Sequence, residues 1–187
     1  MLETFKNAWR IEDLRKKILY TLIMLLIYRI GTSFIPIAGM DVAAIKQTVE
    51  GSDILGFLNM ITGGSLAGFT IFAVGISPYI TSSIFMQLLT FAIPALERMS
   101  KEGGEDGREK IKRITRYVGV LLALIMSIGM VMSLRSYMIT TDLLSKITMI
   151  LTLTAGACIV MWMGEKITEK GIGNGVSLII FVGIVAR

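Results

Sequence analysis

The chain has no histidine and a single cysteine among its 187 residues. The first absence removes the usual general base and the commonest metal ligand. The second rules out a disulfide within the chain and any thiolate metal cluster. Cys158 lies in an apolar run and reads as a small packed hydrophobe. Proline occurs three times, at Pro36, Pro78 and Pro94, so most of the chain is free to form uninterrupted helix. Aromatics make up 8% and charges 18%, which is little polar cover for a soluble domain. No nucleophile–base pair, metal cluster or nucleotide motif occurs. An enzyme is therefore not expected, and neither a metal nor a cofactor is implied.

Apolar length is what the chain has instead. Hydrophobic residues reach 53% and the mean hydropathy is +0.71. The 19 bases and 14 acids cluster between apolar runs, the layout of an integral membrane protein. A bilayer core takes a helix of about 20 mainly apolar residues. Four runs approach that length, at 18–37, 71–94, 117–134 and 143–163, and a shorter fifth covers 176–185. Residues 1–17 precede them. There Phe5, Ala8, Trp9 and Ile11 alternate with Lys6, Arg10, Arg15, Lys16 and Lys17. That pattern suits a retained amphipathic segment at the membrane surface rather than a cleavable signal.

Orientation follows from lysine and arginine. The basic N-terminal block falls on one side. With it fall Arg98, Lys101, Arg108, Lys110, Lys112, Arg113, Arg116, Lys166 and Lys170. The other side holds only Lys46, Arg135, Lys146 and Arg187, while Arg29 lies inside the first run. The N-terminus is expected in the cytosol and Arg187 outside. The stretch at about 95–116, "ERMSKEGGEDGREKIKR" at its centre, is expected to be a flexible cytosolic loop. Two readings of it stay open. It is a solvated topogenic loop, or its bases (Arg98, Lys101, Arg108, Lys110, Lys112, Arg113) dock an acidic partner such as ribosomal RNA or a motor protein.

One segment is broken. "NMITGGSLAGFTIFAVGISPYI" (59–80) is too apolar for a loop and too rich in glycine and hydroxyls for a lipid-facing helix. Irregular backbone at membrane depth is tolerated only inside protein or beside water. The segment is thus expected to enter from outside, shielded by other helices, and to continue as the second span with Pro78 bending that helix or sitting near its start. Asp41 and Ser52 or Asp53 read as helix N-caps before it. Ile76 and Ile80 stand at i, i+4 spacing, and Ser83 and Gln87 continue the stripe. Periodicity alone leaves helix packing and the lining of a water-filled path as alternatives. "GEKITEKGIGNG" (164–175) reads as a compact cytosolic hairpin, with Glu165, Lys166, Glu169 and Lys170 forming helical surface pairs. It lacks the Lys-Ser/Thr pair and the preceding strand of a phosphate loop.

Four stretches carry a resemblance. "YRIGTSFIPIAGM" (28–40), "TIFAVGISPYITSSIFMQLL" (70–89), "RYVGVLLALIMSIGM" (116–130) and "WMGEKITEKGIGNGVSLIIF" (162–181) resemble the SecY family of bacterial type, the protein-conducting channel subunit of the Sec translocon. The resemblance covers the whole chain but only the N-terminal half of the family's ten spans. It implies an all-α integral membrane fold: five transmembrane helices with a short re-entrant plug helix, one half of the inverted-repeat architecture. It implies a pore ring of Ile76, Ile80 and Ile180, with Val176 beside them. A plug is implied at about 59–69, including Asn59, Met60, Ile61, Thr62, Gly63, Gly64, Ser65 and Leu66, held weakly so that it can leave. Thr81, Ser83 and Gln87 fall on a lateral gate wall. Met126 stands where the family often has glutamine.

The implied function is passage of secretory polypeptides across the plasma membrane and release of membrane proteins into it. The implied partners are SecE and SecG, the C-terminal half of SecY, the SecA motor or the ribosome, signal sequences and nascent polypeptides, and lipid. Two other classes remain. One is an isolated half or homo-oligomer without translocation activity. The other is half of an inverted-repeat secondary transporter. The apolar spans carry no central ionisable residue for ion coupling, which counts against the transporter.

Overall fold

The computed structural model describes residues 11–101 and 103–185. The N-terminal residues expected to lie at the membrane surface, Phe5 to Arg10, fall outside the described residues, as does Arg187. Helix α1 spans Glu12–Phe34. Arg15, Lys16 and Lys17 therefore lie in the first turns of α1. Two short helices follow, α2 (Val42–Glu50) and α3 (Asp53–Ile61). The Asp41 side chain caps α2 by accepting from the Ala44 amide, whereas Ser52 occupies the N-cap of α3 without a side-chain hydrogen bond. After an irregular run come α4 (Ser77–Ala92) and α5 (Pro94–Lys101). Then follow α6 (Gly104–Ser133), a single 3₁₀ turn at Arg135–Tyr137, α7 (Leu143–Lys170) and α8 (Gly175–Val185).

Among the described residues, α1, α6 and α7 are long and apolar enough to cross a membrane, and a fourth span is reached only if α4 and α5 count as one. The five spans expected are not reached. The second loses 71–76 to irregular turns, so α4 has 16 residues and is about 24 Å long. Pro78 sits in its first turn, where a missing amide costs nothing. Helix α5 departs from α4 at a bend of 102°. The stretch expected to be a flexible loop is thus mostly helix. Its glycines give close approach rather than freedom: a Cβ on Gly107 would lie 2.0 Å from the Met99 carbonyl oxygen. Helix α8, with 11 residues, is shorter than a bilayer core.

Small residues set the helix packing. On α6 the buried positions Thr115, Gly119, Ala123, Ser127 and Val131 recur every fourth residue. Such a stripe lets backbones approach where lipid supplies no hydrophobic drive between helices. Helices α4 and α7 pack on it, and α7 in turn packs on α8. A Cβ on Gly119 would sit 3.1 Å from Ser82 Oγ and 3.3 Å from Met161 Sδ.

The irregular run 62–76 threads between two apolar cores. Leu66, Ala67, Phe69, Ala73 and Val74 join Ile37, Ile45, Leu153 and Ala157 in one. Phe72 and Ile76 join Met24, Tyr28, Val160, Met163, Ile167 and Ile179 in the other. The Phe72 ring stacks on Tyr28 at 5.9 Å and 13°. The amides of Ser65, Gly68, Phe69, Thr70, Ala73 and Gly75 donate to carbonyls within the run itself. Antiparallel pairing supplies two more: Ile37 donates to the Phe69 carbonyl at 2.9 Å, and Ile71 to the Ile35 carbonyl at 3.1 Å. Phe69 is held at φ 41°, a left-handed conformation that a buried aromatic adopts only when its surroundings fix it.

Gly156 of α7 lies where the run passes closest. A Cβ there would fall 1.8 Å from the Ile71 carbonyl oxygen, whereas one on Gly129 of α6 would meet nothing within 4 Å. Gly156→Ala is expected to destabilise the fold by about 1–3 kcal/mol. Gly129→Ala is expected to be neutral or to stabilise by up to about 1 kcal/mol. Unfolding followed in detergent by far-UV circular dichroism checks both; equal effects would contradict the packing described.

Candidate conducting site

The expected pore residues come from two helices that meet at α7. Ile76 is the N-cap of α4 and is 5% exposed. Ile80 lies one turn on, and Val176 and Ile180 stand on α8, all three half-buried against the same core. Gly164 of α7 lies under two of them: a Cβ there would lie 3.2 Å from Ile76 Cδ1 and 3.4 Å from Val176 Cγ2. The structure thus brings the four residues into one apolar cluster. Ile76 is a packed core contact, whereas Ile80 and Ile180 keep open surface. Ile179, fully buried beside them, was not anticipated; the all-apolar sequence of α8 gives no periodicity by which to single it out.

Helix α8 is aimed at this cluster by its N-terminus. Asn174 Oδ1 accepts from the Val176 amide at 3.0 Å, and the Thr168 hydroxyl accepts from the Gly175 amide at 2.9 Å. Gly175 has no room for a side chain, since a Cβ would lie 2.1 Å from the Gly164 carbonyl oxygen. The expected hairpin is therefore the short Gly171–Gly175 link, and α7 continues helical through Lys170. Its expected surface pairs are only partly formed. Lys166 pairs with Glu169 at 2.7 Å, but Glu165 pairs across to Arg116 of α6. The Glu165 side chain is 9% exposed but that of Arg116 is 51% exposed, so α6 and α7 share an ion pair desolvated on the carboxylate side alone.

A groove of about 570 Å³ runs along α4, α5 and α6, lined by Tyr79, Ser83, Gln87, Phe91, Lys112 and Thr115 among others. It adjoins a smaller cavity of about 230 Å³ that reaches Ile80, Val176 and Glu165. Tyr79, Ser83 and Lys112 line both, so a partly polar path leads to the apolar cluster. Of the expected gate residues, Ser83 and Gln87 line the groove. Thr81 is exposed and returns its hydroxyl to the Ser77 carbonyl, and Met126 lies on an exposed face of α6; neither lines the groove. The basic residues expected to dock a partner, Arg98, Lys101, Arg108, Lys110, Lys112 and Arg113, are all exposed. Two of them are paired within their own helices, Lys101 with Glu97 at 2.6 Å and Arg113 with Glu109 at 3.2 Å.

The stretch expected to be a weakly held plug divides in two. Its latter part is tightly packed: Thr62, Ser65, Leu66, Ala67 and Phe69 are buried. Asn59 Oδ1 accepts from the Ala67 amide at 2.9 Å, closing the loop on itself. Ser65 Oγ lies 2.7 Å from the Thr62 carbonyl and 3.0 Å from that of Phe72. Of the stretch's first residues Asn59 is buried, Met60 is exposed and Ile61 is half-buried, while Ile54, Phe57 and Leu58, earlier on α3 and outside the expected plug, are exposed. Glycine content suggested weak attachment. The glycines instead make the turns that burial requires, with Gly63 at φ 68° and Gly64 at φ 87°.

Among the described residues no group of three or more acidic, cysteine or histidine side chains could hold a metal. The site offers an apolar cluster beside a partly polar groove.

Comparison with known proteins places the chain in a family. The family model SecY matches residues 70–187. Protein translocase subunit SecY of Streptomyces scabiei is 45% identical over 202 residues, covering 100% of this chain and 46% of the relative. The protein of the same description from Guillardia theta is 47% identical over 175 residues, covering 94% of this chain and 41% of the relative. That of Rickettsia bellii (strain RML369-C) is 47% identical over 184 residues, with 94% and 42% covered. The chain thus spans about half the length of the curated relatives it matches. Two solved structures share the fold at 20% identity and a TM-score of 0.66, each covering 93% of this chain and 39% of the other. They are described as Sec61 in the canine ribosome–channel complex from the endoplasmic reticulum and as a protein conducting channel. With a family model matched over most of its length, and relatives this similar across all of it, the chain belongs to the SecY family.

Proposed function

We propose that this chain is the N-terminal half of a protein-conducting channel that moves secretory polypeptides across the plasma membrane and releases membrane proteins sideways into it. The observation that carries this reading is the similarity to translocase subunits along the whole chain. The apolar cluster of Ile76, Ile80, Val176 and Ile180 at the foot of the groove supports it. Branched aliphatics at a constriction dewet it, so the resting pore blocks ions without a tight contact to the passing chain. In this reading the five-span topology is completed by α4 and α8, which are short but sit beside the longer spans, and residues 1–17 lie in the cytosol. Helix α3 and its joint at 59–69 stopper the outer funnel, and the α4 wall bearing Thr81, Ser83 and Gln87, with Met126 on α6, forms one side of the lateral gate.

The partners follow from the same reading: SecE and SecG, the C-terminal half of SecY, a signal sequence or nascent polypeptide in the pore, and surrounding lipid. The exposed bases on α5 and α6 suit the SecA motor or the ribosome. Transporter activity and an isolated assembly without translocation are not favoured, because the relatives named above are translocase subunits.

Two outcomes are expected. The 187-residue chain alone should not export a secretory substrate, and co-expression with a matching C-terminal half should restore export in a SecY-depleted strain; robust export by the chain alone would refute the half-channel assignment. In the complete channel, Ile80→Gly should raise resting ion conductance in planar bilayers, and Ile76→Gly with Ile80→Gly should raise it further. Unchanged conductance in both would remove these residues from the seal.

A further inference from the structure

Arg29 is the one charge inside the first apolar run. A cation at that depth is costly unless protein groups receive it, and such residues usually mark function. Its guanidinium Nη1 donates to the Gly63 carbonyl at 2.9 Å. Gly63 is the joint of the broken segment: α3 ends at Ile61, and the buried turns begin at Thr62. The joint also rests on α8 through bare backbone. A Cβ on Gly63 would lie 3.1 Å from Gly183 Cα, and one on Gly183 would lie 3.1 Å from the Ile61 carbonyl oxygen. The joint therefore brings no side chain of its own to either neighbour. Among the described residues, its polar contact to α1 is the bond from Arg29, while α3 beyond it leaves apolar residues exposed.

We propose that Arg29 is the positioning residue that latches α3: its bond to the Gly63 carbonyl seats the joint between α1 and Gly183, and loss of that bond frees α3 from the bundle. The latch is a single guanidinium donor on a backbone carbonyl. It opens by exchange of acceptors. A polypeptide arriving beside α3 brings backbone carbonyls of the same chemistry as that of Gly63, and one of them can take the donor. That last step rests on the channel reading above; the latch itself does not.

Hydrogen–deuterium exchange of the full chain in lipid nanodiscs tests the latch without any export assay. Hydrogen bonds from charged donors are strong enough that Arg29→Met should speed exchange of the Gly63 and Gly64 amides about tenfold to a hundredfold. The Ile71 and Ala73 amides should keep their wild-type rates. Arg29→Lys, which retains a donor, should recover part of the protection, and it carries the test if Arg29→Met does not fold. Wild-type rates at Gly63 and Gly64 in the folded variants would overturn the proposal. So would a uniform acceleration along α1, α3 and the turns, because that reports general loosening. Export by the wild-type complete channel is measured in parallel. If export is absent but the local acceleration is present, the channel reading fails and the latch stands; if export is normal and exchange unchanged, the latch fails.

Discussion

A backbone that leaves helical geometry at membrane depth must find a partner for its amides and carbonyls within the protein. The run 62–76 lives under that constraint, and much of the architecture serves it. Tight turns at Gly63, Gly64 and Gly75 supply part of the pairing, and the extended residues after α1 supply two further bonds. Asn59 closes the loop by accepting from Ala67. The flanking helices are pared to glycine where the run passes, at Gly31 against Phe72 and at Gly156 against Ile71. Among the described residues, Thr70 Oγ1 is the buried side-chain oxygen left without a partner.

That fixed strut joins two parts with different work. Its Phe69 and Val74 complete one core, and its Phe72 and Ile76 complete the other, from which Ile80 and Val176 line the smaller cavity beside the groove. Ile76 thus starts the helix that carries Ile80 while being held in the apolar cluster by the strut. Before the strut, α3 is attached through a glycine joint and exposes an apolar face. Rigidity at the waist and looseness at the stopper are what a channel needs if it must seal at rest and still open. Here they come from neighbouring residues of one segment.

Much of this was legible in the sequence. The runs at 117–134 and 143–163 are the cores of α6 and α7, and Asp41 caps α2 as its position suggested. The break at 59–80 was visible because glycines and hydroxyls interrupt an apolar stretch. Its internal division was not, since the same glycines that suggest mobility also permit tight turns against a helix. Residues 71–76 are as apolar as a span, and nothing in their periodicity shows that α7 comes within contact of their backbone at Gly156. The glycines at 103 and 107 misled in the same way. They looked like flexibility among charges, yet they let α5 lie on the start of α6. Glu165 was assigned to its own helix because long-range partners such as Arg116 leave no mark on local spacing. Arg29 stood out only as a lone charge, and its acceptor is a backbone atom that no sequence pattern names.

The central claim is that 62–76 is a strut held inside protein, with α3 as the loose element before it. Single cysteines placed along 53–76 in a Cys158→Ala background test it directly in reconstituted membranes. Each is challenged with a water-soluble maleimide and with a lipid-phase alkylating reagent. Leu66→Cys, Ala67→Cys and Ala73→Cys should react slowly with both, while Ile54→Cys and Phe57→Cys react readily with at least one. Reaction of the strut positions with either reagent at the α3 rates would contradict the account.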